Sequence, residues 1–152
     1  MAGVVGVGVD VADARRFERL VGRGSNRVWA HWYTEAEARE CLAHSRPGTA
    51  AALRFAVKEA AYKAVGAHFA DMMRWRDIEV LGREPAWRLT LRGDVAAAAV
   101  AAGVQRLHVS TCRTGGRVLA TVIAEGGSRD PGRAGHAPVY ASSSTPDAQG
   151  DT

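Results

Sequence analysis

Apolar and polar positions divide this chain into short segments of two kinds. Residues 3–11, Gly-Val-Val-Gly-Val-Gly-Val-Asp-Val, are rich in glycine and β-branched side chains, the composition of a buried strand. Asp10 interrupts that run near its end. An acid there is either a helix N-cap at the strand exit or a ligand held at a sheet edge. A helical pattern follows over 13–22, with Asp13 placed to cap it. Gly22, Gly24, Ser25 and Asn26 then read as a polar loop. Thr34-Glu35-Ala36-Glu37 has the pattern of a capping box and opens a helix to residue 44. Ser45-Arg46-Pro47-Gly48 breaks it. Strong helix formers dominate 49–65, with Thr49 as the N-cap and Gly66 just past the end.

The second half alternates more. Strands are expected at 77–82 and 87–92, with Glu84-Pro85 as the turn between them. Asp94 is expected to cap an alanine-rich helix that ends at Gly103, its small side chains suited to close packing. Residues 106–112 and 117–125 flank Thr114-Gly115-Gly116 and read as a β-hairpin. From Gly126 the composition shifts to Gly, Ser, Pro and Asp with almost nothing apolar. Residues 1–125 are therefore expected to form the folded domain, and 126–152 a disordered tail. No internal repeat is visible. The mixed order of helices and strands gives the α+β class.

Composition narrows the function. At 152 residues the chain is one domain. A net charge of +4 favours an acidic partner. Cys41 and Cys112 are too few for a disulfide framework and lack metal-ligand spacing, which fits a reduced cytoplasm. The N-terminus lacks the pattern of a signal peptide, and no apolar run approaches the ~20 residues of a membrane span.

The chemistry concentrates in Arg54-Phe-Ala-Val-Lys-Glu-Ala-Ala-Tyr-Lys-Ala64. Glu59 and Lys63 stand four apart and share one helix face. Such a pair suits a phosphate and its metal; the same spacing is also that of a plain helix salt bridge. Arg15, Arg19 and Arg23, at i, i+4 and i+8 with Arg16 beside them, form a basic stripe. That stripe is either a solvated face or a docking surface for an acidic partner. Nucleic-acid binding rests on charge alone, since no aromatic residues interleave the arginines, and it ranks last. His108 lies in an expected strand, where a lone histidine is first a hydrogen-bonded structural residue.

Two of these segments together resemble the holo-[acyl-carrier-protein] synthase family, the small type of 4′-phosphopantetheinyl transferase. Its members open with Gly-x-Gly-x-Asp and an arginine six residues after the acid; here these are Gly6, Gly8, Asp10 and Arg16. They carry Arg-Phe-Ala-x-Lys-Glu-Ala-x-x-Lys-Ala further on, matched at every fixed position from Arg54 to Ala64. Tyr33 to Glu37, Asp77 to Val80, His108 to Ser110 and Ala120 to Ile123 extend the resemblance over residues 3–125. Three places depart from the pattern. Arg113 replaces a second histidine, Gly66-Ala67-His68 replaces Gly-Thr-Gly, and Arg83-Glu84-Pro85 replaces Gly-Lys-Pro.

The resemblance implies an antiparallel sheet wrapped by helices, and a homotrimer with active sites between subunits. It implies a cytoplasmic, Mg²⁺-dependent enzyme that moves the 4′-phosphopantetheine arm of coenzyme A onto a serine of an apo acyl carrier protein, in fatty-acid or polyketide synthesis. Asp10 and Glu59 would be the Mg²⁺ ligands. Glu59 would also accept the serine proton, directly or through a metal-bound water. Lys63 would face the leaving oxygen. Arg54 would contact the 3′-phosphate or pyrophosphate of coenzyme A. His108 and Arg113 would be further contacts, and Lys58 either another or a surface lysine. Arg16 matches the arginine of the family; Arg15, Arg19 and Arg23 join it as carrier-docking residues by helix geometry alone. The rival reading is a non-catalytic homologue that only binds a carrier, and the acid–acid–lysine set argues against it.

Overall fold

The computed structural model describes residues 2–22, 26–67, 74–127 and 139–141. Strand β1 (Gly3–Asp13) leads into α1 (Ala14–Gly22), α2 (Asn26–Trp32), α3 (Glu35–Leu42) and α4 (Pro47–Ala64). A 3₁₀ turn (Trp75–Asp77) precedes β2 (Ile78–Arg83) and β3 (Ala86–Leu91); α5 (Gly93–Ala101), β4 (Val104–Thr114), β5 (Arg117–Gly126) and β6 (Val139–Ala141) complete the order. The strands form two three-stranded sheets, β1-β5-β4 and β2-β3-β6, with every pairing antiparallel. The α+β class holds, and the expected sheet is resolved into two. No helix among the described residues is long and apolar enough to cross a membrane. Cys41 is buried and Cys112 exposed, and both are free.

Local signals place most elements. Asp13 Oδ1 accepts from the backbone N–H of Arg15 at 2.8 Å and of Arg16 at 3.1 Å, capping α1 as expected. Thr34 and Glu37 form the full capping box of α3. The two glycines of the β4–β5 turn both have positive φ, 55° and 81°, the conformation a two-residue hairpin turn requires.

Four expectations need correction. Asn26 opens α2 instead of closing a polar loop, while Arg23, Gly24 and Ser25 lie outside the described residues. The helix is short, and Val28, Trp29 and Trp32 hold it against the core. Helix α4 starts at Pro47, not Thr49, because proline already has the φ of a first helical position. Asp94 is not a cap: Arg92 holds that position, and Asp94 lies in the first turn of α5. Last, β5 runs through Gly126, and residues 139–141 pair with Arg88 to Thr90 of β3. An unstructured tail is therefore wrong at those residues; the rest of 128–152 lies outside the described residues.

Helix α4 is the centre of the molecule. Fourteen of its 18 residues are buried, so it behaves as a core helix with no broad solvent face. Strand β1 crosses it at backbone distance. A Cβ on Gly6 would collide with the carbonyl of Ala64, and one on Gly8 with the carbonyl of Ala60. Glycine on the strand and alanine on the helix are what this approach demands. The other face of the same sheet is apolar and open: Val5, Val7, Val9 and Val11 are 46–55 % exposed, in register beside Leu119, Thr121 and Ile123.

Gly8→Ala should therefore destabilise the fold by about 1–3 kcal/mol or more, the cost of overpacking against a backbone that cannot yield. Gly3→Ala, where nothing lies within 4 Å of the added carbon, should be close to neutral. Chemical denaturation of the two variants checks the contrast.

Candidate active site

The open line of α4 carries the chemistry. After Pro47, its only residues that are not buried are Phe55, Glu59 and Lys63, one per turn. Along β1, Gly6, Gly8, Asp10 and Ala12 alternate toward this helix while the valines point away. The close crossing at Gly6 and Gly8 brings Asp10 to the same line. Lys63 Nζ donates to the carboxylate of Asp10 at 3.0 Å and to the carbonyl of Val9 at 2.8 Å. The lysine thus pairs with an acid on another element, not with Glu59 in its own helix, so the plain helix salt bridge gives way to a three-residue cluster. Burial pushes the Glu59 carboxyl above the ordinary glutamate value, repulsion from Asp10 pushes it further, and Lys63 pulls it partly back. Two carboxylates near enough to repel thus stand beside one ammonium.

Arg54 and Lys58 are not in this cluster. Lys58 is fully buried, and its ammonium donates to the carbonyls of Trp32 (2.8 Å) and Trp75 (2.9 Å) and to Glu37 Oε2 (2.8 Å). All three N–H donors are used inside the fold. Glu37 is equally buried and also accepts from the backbone N–H of Thr34 and Val80. Burial raises the Glu37 carboxyl and lowers the Lys58 ammonium, and each ion pulls the other back. Arg54 is 4 % exposed. It donates to Glu40 at 2.6 Å and to the carbonyls of Val80, Ala50 and Gly82, with its guanidinium 5.6 Å above the Trp87 ring. The expected coenzyme contacts are thus corrected: Glu37 and Glu40 of α3 take Lys58 and Arg54 of α4 as two rungs that fix the helix rotation. Lys58 is neither a surface lysine nor open to a phosphate.

His108 lies away from this cluster. It lies opposite Ile123 on the outer face of the first sheet, whereas Asp10 faces inward opposite Ala120. Its Nε2 lies 2.6 Å from Glu125 Oε2. Arg113 is exposed near the end of β4, two residues beyond Thr111, which pairs with Ala120 in the same register as Asp10. Arg15, Arg16 and Arg19 are exposed on α1, and Arg23 lies outside the described residues.

Two supporting features escaped the reading of the sequence. Glu18 of α1 accepts from the N–H of Thr49 (3.0 Å) and from its hydroxyl (2.8 Å), so the N-terminus of α4 is capped from another helix. Phe17, Trp32, Phe55 and Trp75 stack in sequence with centroids 4.7–6.0 Å apart, forming an aromatic wall that ends one turn before Glu59. The spacing of Phe55 and Glu59 was visible; the partners from three other elements were not.

Residues 6–122 match the sequence model of the 4′-phosphopantetheinyl transferase superfamily. The chain belongs to that superfamily. Within it, the chain is 37 % identical to the holo-[acyl-carrier-protein] synthase of Cutibacterium acnes over 126 residues, 81 % of this chain and 99 % of that one. The fold is similar to the acyl carrier protein synthase of Mycobacterium tuberculosis, with a TM-score of 0.58, 34 % identity, and 82 % and 100 % of the two chains covered. It is also similar to the Bacillus anthracis holo-(acyl-carrier-protein) synthase in complex with coenzyme A (3′,5′-ADP), with a TM-score of 0.61, 25 % identity, and 82 % and 98 % coverage.

Two outcomes follow from the geometry of this transferase fold. Lys58→Ala should cost about 3–5 kcal/mol by leaving Glu37 buried without its partner, while Lys63→Ala, in a more exposed pair, should change stability by less than about 1 kcal/mol. Denaturant unfolding separates them. Glu59→Gln should stabilise the protein at pH 7. A raised carboxyl favours the protonated fold, so that contribution is complete below the ordinary value of 4.5 and is lost as pH rises through the raised value. The gain over the unmutated chain should vanish in thermal melts at pH 4.

Proposed function

We propose that this chain transfers the 4′-phosphopantetheine group of coenzyme A to a serine of an apo acyl carrier protein, giving the holo carrier and 3′,5′-ADP. The observation that carries this is the meeting of Asp10, Glu59 and Lys63 on the one open line of a buried helix. In the reaction the serine Oγ forms a bond to the phosphorus that bears the pantetheine arm. The bond from that phosphorus to the bridging oxygen breaks, and its electron pair leaves with 3′,5′-ADP. Glu59, its carboxyl raised above the ordinary glutamate value, accepts the serine proton directly or through a bridging water. Lys63 stands where charge grows on the leaving phosphate.

We propose Mg²⁺ as the resident cation. Among the described residues no group of three or more His, Cys, Asp or Glu could hold a metal by itself. A pair of carboxylates suits Mg²⁺, which takes one or two of them and fills its remaining positions with phosphate oxygens and water. Asp10 and Glu59 would hold it, and when bound it would neutralise the pyrophosphate. Asp10 would keep Lys63 oriented by its ion pair.

We further propose that the active assembly is a trimer, since the open apolar face carrying Val5, Val7, Val9 and Val11 is best covered by other copies of the chain. The cytoplasm, which holds coenzyme A and carriers, is the proposed location. The transferase domain, expected at 1–125, is proposed to extend through Gly126 at the end of β5, with residues 139–141 adding an edge strand to β3.

Intact-mass analysis of an apo carrier after incubation with coenzyme A and Mg²⁺ is the test. The expected result is a gain of one phosphopantetheine, kept by a chain ending at Gly127. Asp10→Ala should lose nearly all transfer with its fold intact. Lys63→Ala should lower kcat more than either KM, because its charge acts as the pyrophosphate breaks. An unchanged carrier mass, with carrier binding intact, would instead favour the non-catalytic binder.

A further inference from the structure

Side chains from α3 and α4 close one edge of the second sheet. On β2, Glu37 accepts from the backbone N–H of Val80 at 2.8 Å and Glu40 from that of Gly82 at 2.9 Å. Arg54 donates to the carbonyls of the same two residues, each at 3.1 Å. Val80 and Gly82 thus point their main-chain groups away from β3. In an antiparallel pair such residues alternate with those that bond across the ladder. Glu79, Leu81 and Arg83 therefore bond to Thr90, Arg88 and Ala86. The Arg92 N–H, which donates to the carbonyl of Asp77 at 2.7 Å, continues the same phase. Trp87, Leu89 and Leu91 accordingly turn their main-chain groups to the far edge of β3.

That far edge is where β6 stands. Its register sets Tyr140 opposite Leu89, so by the same phase these two exchange main-chain bonds. Strand β6 also lies against β4, and it fills the seam between the two sheets. Val139 and Tyr140 are the only large apolar residues between 128 and 152, the residue types that favour a strand.

We propose that β6 is an edge guard: it occupies the main-chain groups of Leu89 so that a second copy of the chain cannot add its own β3 there. The competitor follows from the geometry. An open strand edge is a template for another strand. Two β3 edges are self-complementary in antiparallel register about a two-fold axis. Strand β3, Ala-Trp-Arg-Leu-Thr-Leu, has no proline or glycine and a single charge, so its own sequence does little to blunt the edge. Strand β2 needs no such guard, because Arg54, Glu37 and Glu40 already hold its outer groups. At three residues, β6 is itself too short to be a strong template. This contact would use a strand edge of the second sheet, not the valine face of the first, and it stands apart from the transfer reaction.

The test is sedimentation velocity joined to amide hydrogen exchange. It compares the full chain, a chain ending at Gly127, and the full chain with Tyr140→Pro, which removes the N–H that bonds to the Leu89 carbonyl. In the full chain the Leu89 amide should be protected, and the mass of the assembly should not grow with concentration. In both variants, when dilute, the Leu89 amide should exchange about tenfold faster or more, while the Val80 and Gly82 amides keep their protection. Raising the concentration should then give species of at least twice the mass of the full chain's assembly, with Leu89 protected again. A Leu89 amide that exchanges freely in the full chain overturns the proposal. So do variants whose mass never exceeds that of the full chain, or larger species in which Leu89 stays unprotected. Loss of protection at Val80 together with Leu89 would show that β6 holds the sheet together instead of guarding its edge, and overturns it too.

Discussion

The backbone contact between β1 and α4 is the constraint on which the rest depends. A strand can lie this close to a helix only without side chains at the crossing, and Gly6 and Gly8 provide that against the carbonyls of Ala64 and Ala60. The contact seals most of α4 inside the core and leaves one line of it open. It also sets the depth and direction of Asp10, the next inward residue of the strand. Glu59 and Lys63 meet Asp10 because two backbones meet first. The glycines are thus part of the site although they touch nothing that reacts.

Helix α4 carries two ionic systems with opposite tasks, separated by a small rotation about its axis. Lys58 and Arg54 point into the protein and are saturated by Glu37, Glu40 and main-chain carbonyls. Burying those charges is tolerable only because each is paired and hydrogen-bonded, and among the described residues no buried side-chain polar atom lacks a partner. Glu59 and Lys63 keep access to solvent, and Glu59 is held in a frustrated state by its neighbours. The saturated set fixes the helix rotation that keeps Glu59 and Lys63 on its open line.

Much of this was legible in the residues, but unevenly. Local signals with their own geometry read correctly: the capping box at Thr34, the Asp13 cap, the glycine turn of the last hairpin. The pairing of Asp10 with Glu59 was legible only through the family resemblance carried by Gly6, Gly8, Asp10 and the block from Arg54 to Ala64. Long-range partners were not. Thr49 has the chemistry of an N-cap, yet Pro47 starts the helix earlier and Glu18 caps it from thirty-one residues away. Arg54 and Lys58 resemble phosphate ligands by residue type, and only their surroundings show that their donors are spent. For Lys58 a signal was present: it lies among Ala56, Val57, Ala60 and Ala61, on the apolar side of the helix. Helix α2 is too short for a periodic pattern and forms because its tryptophans find the core.

The central claim is that Asp10 and Glu59 are held together as like charges by that crossing. NMR titration of the Glu59 side-chain carboxyl, in the unmutated chain and in Asp10→Asn without divalent cation, tests it most directly. The account predicts that Glu59 titrates above 4.5 in the unmutated chain and falls when Asp10 loses its charge. A Glu59 that titrates at or below the ordinary value, or that ignores Asp10→Asn, would contradict it.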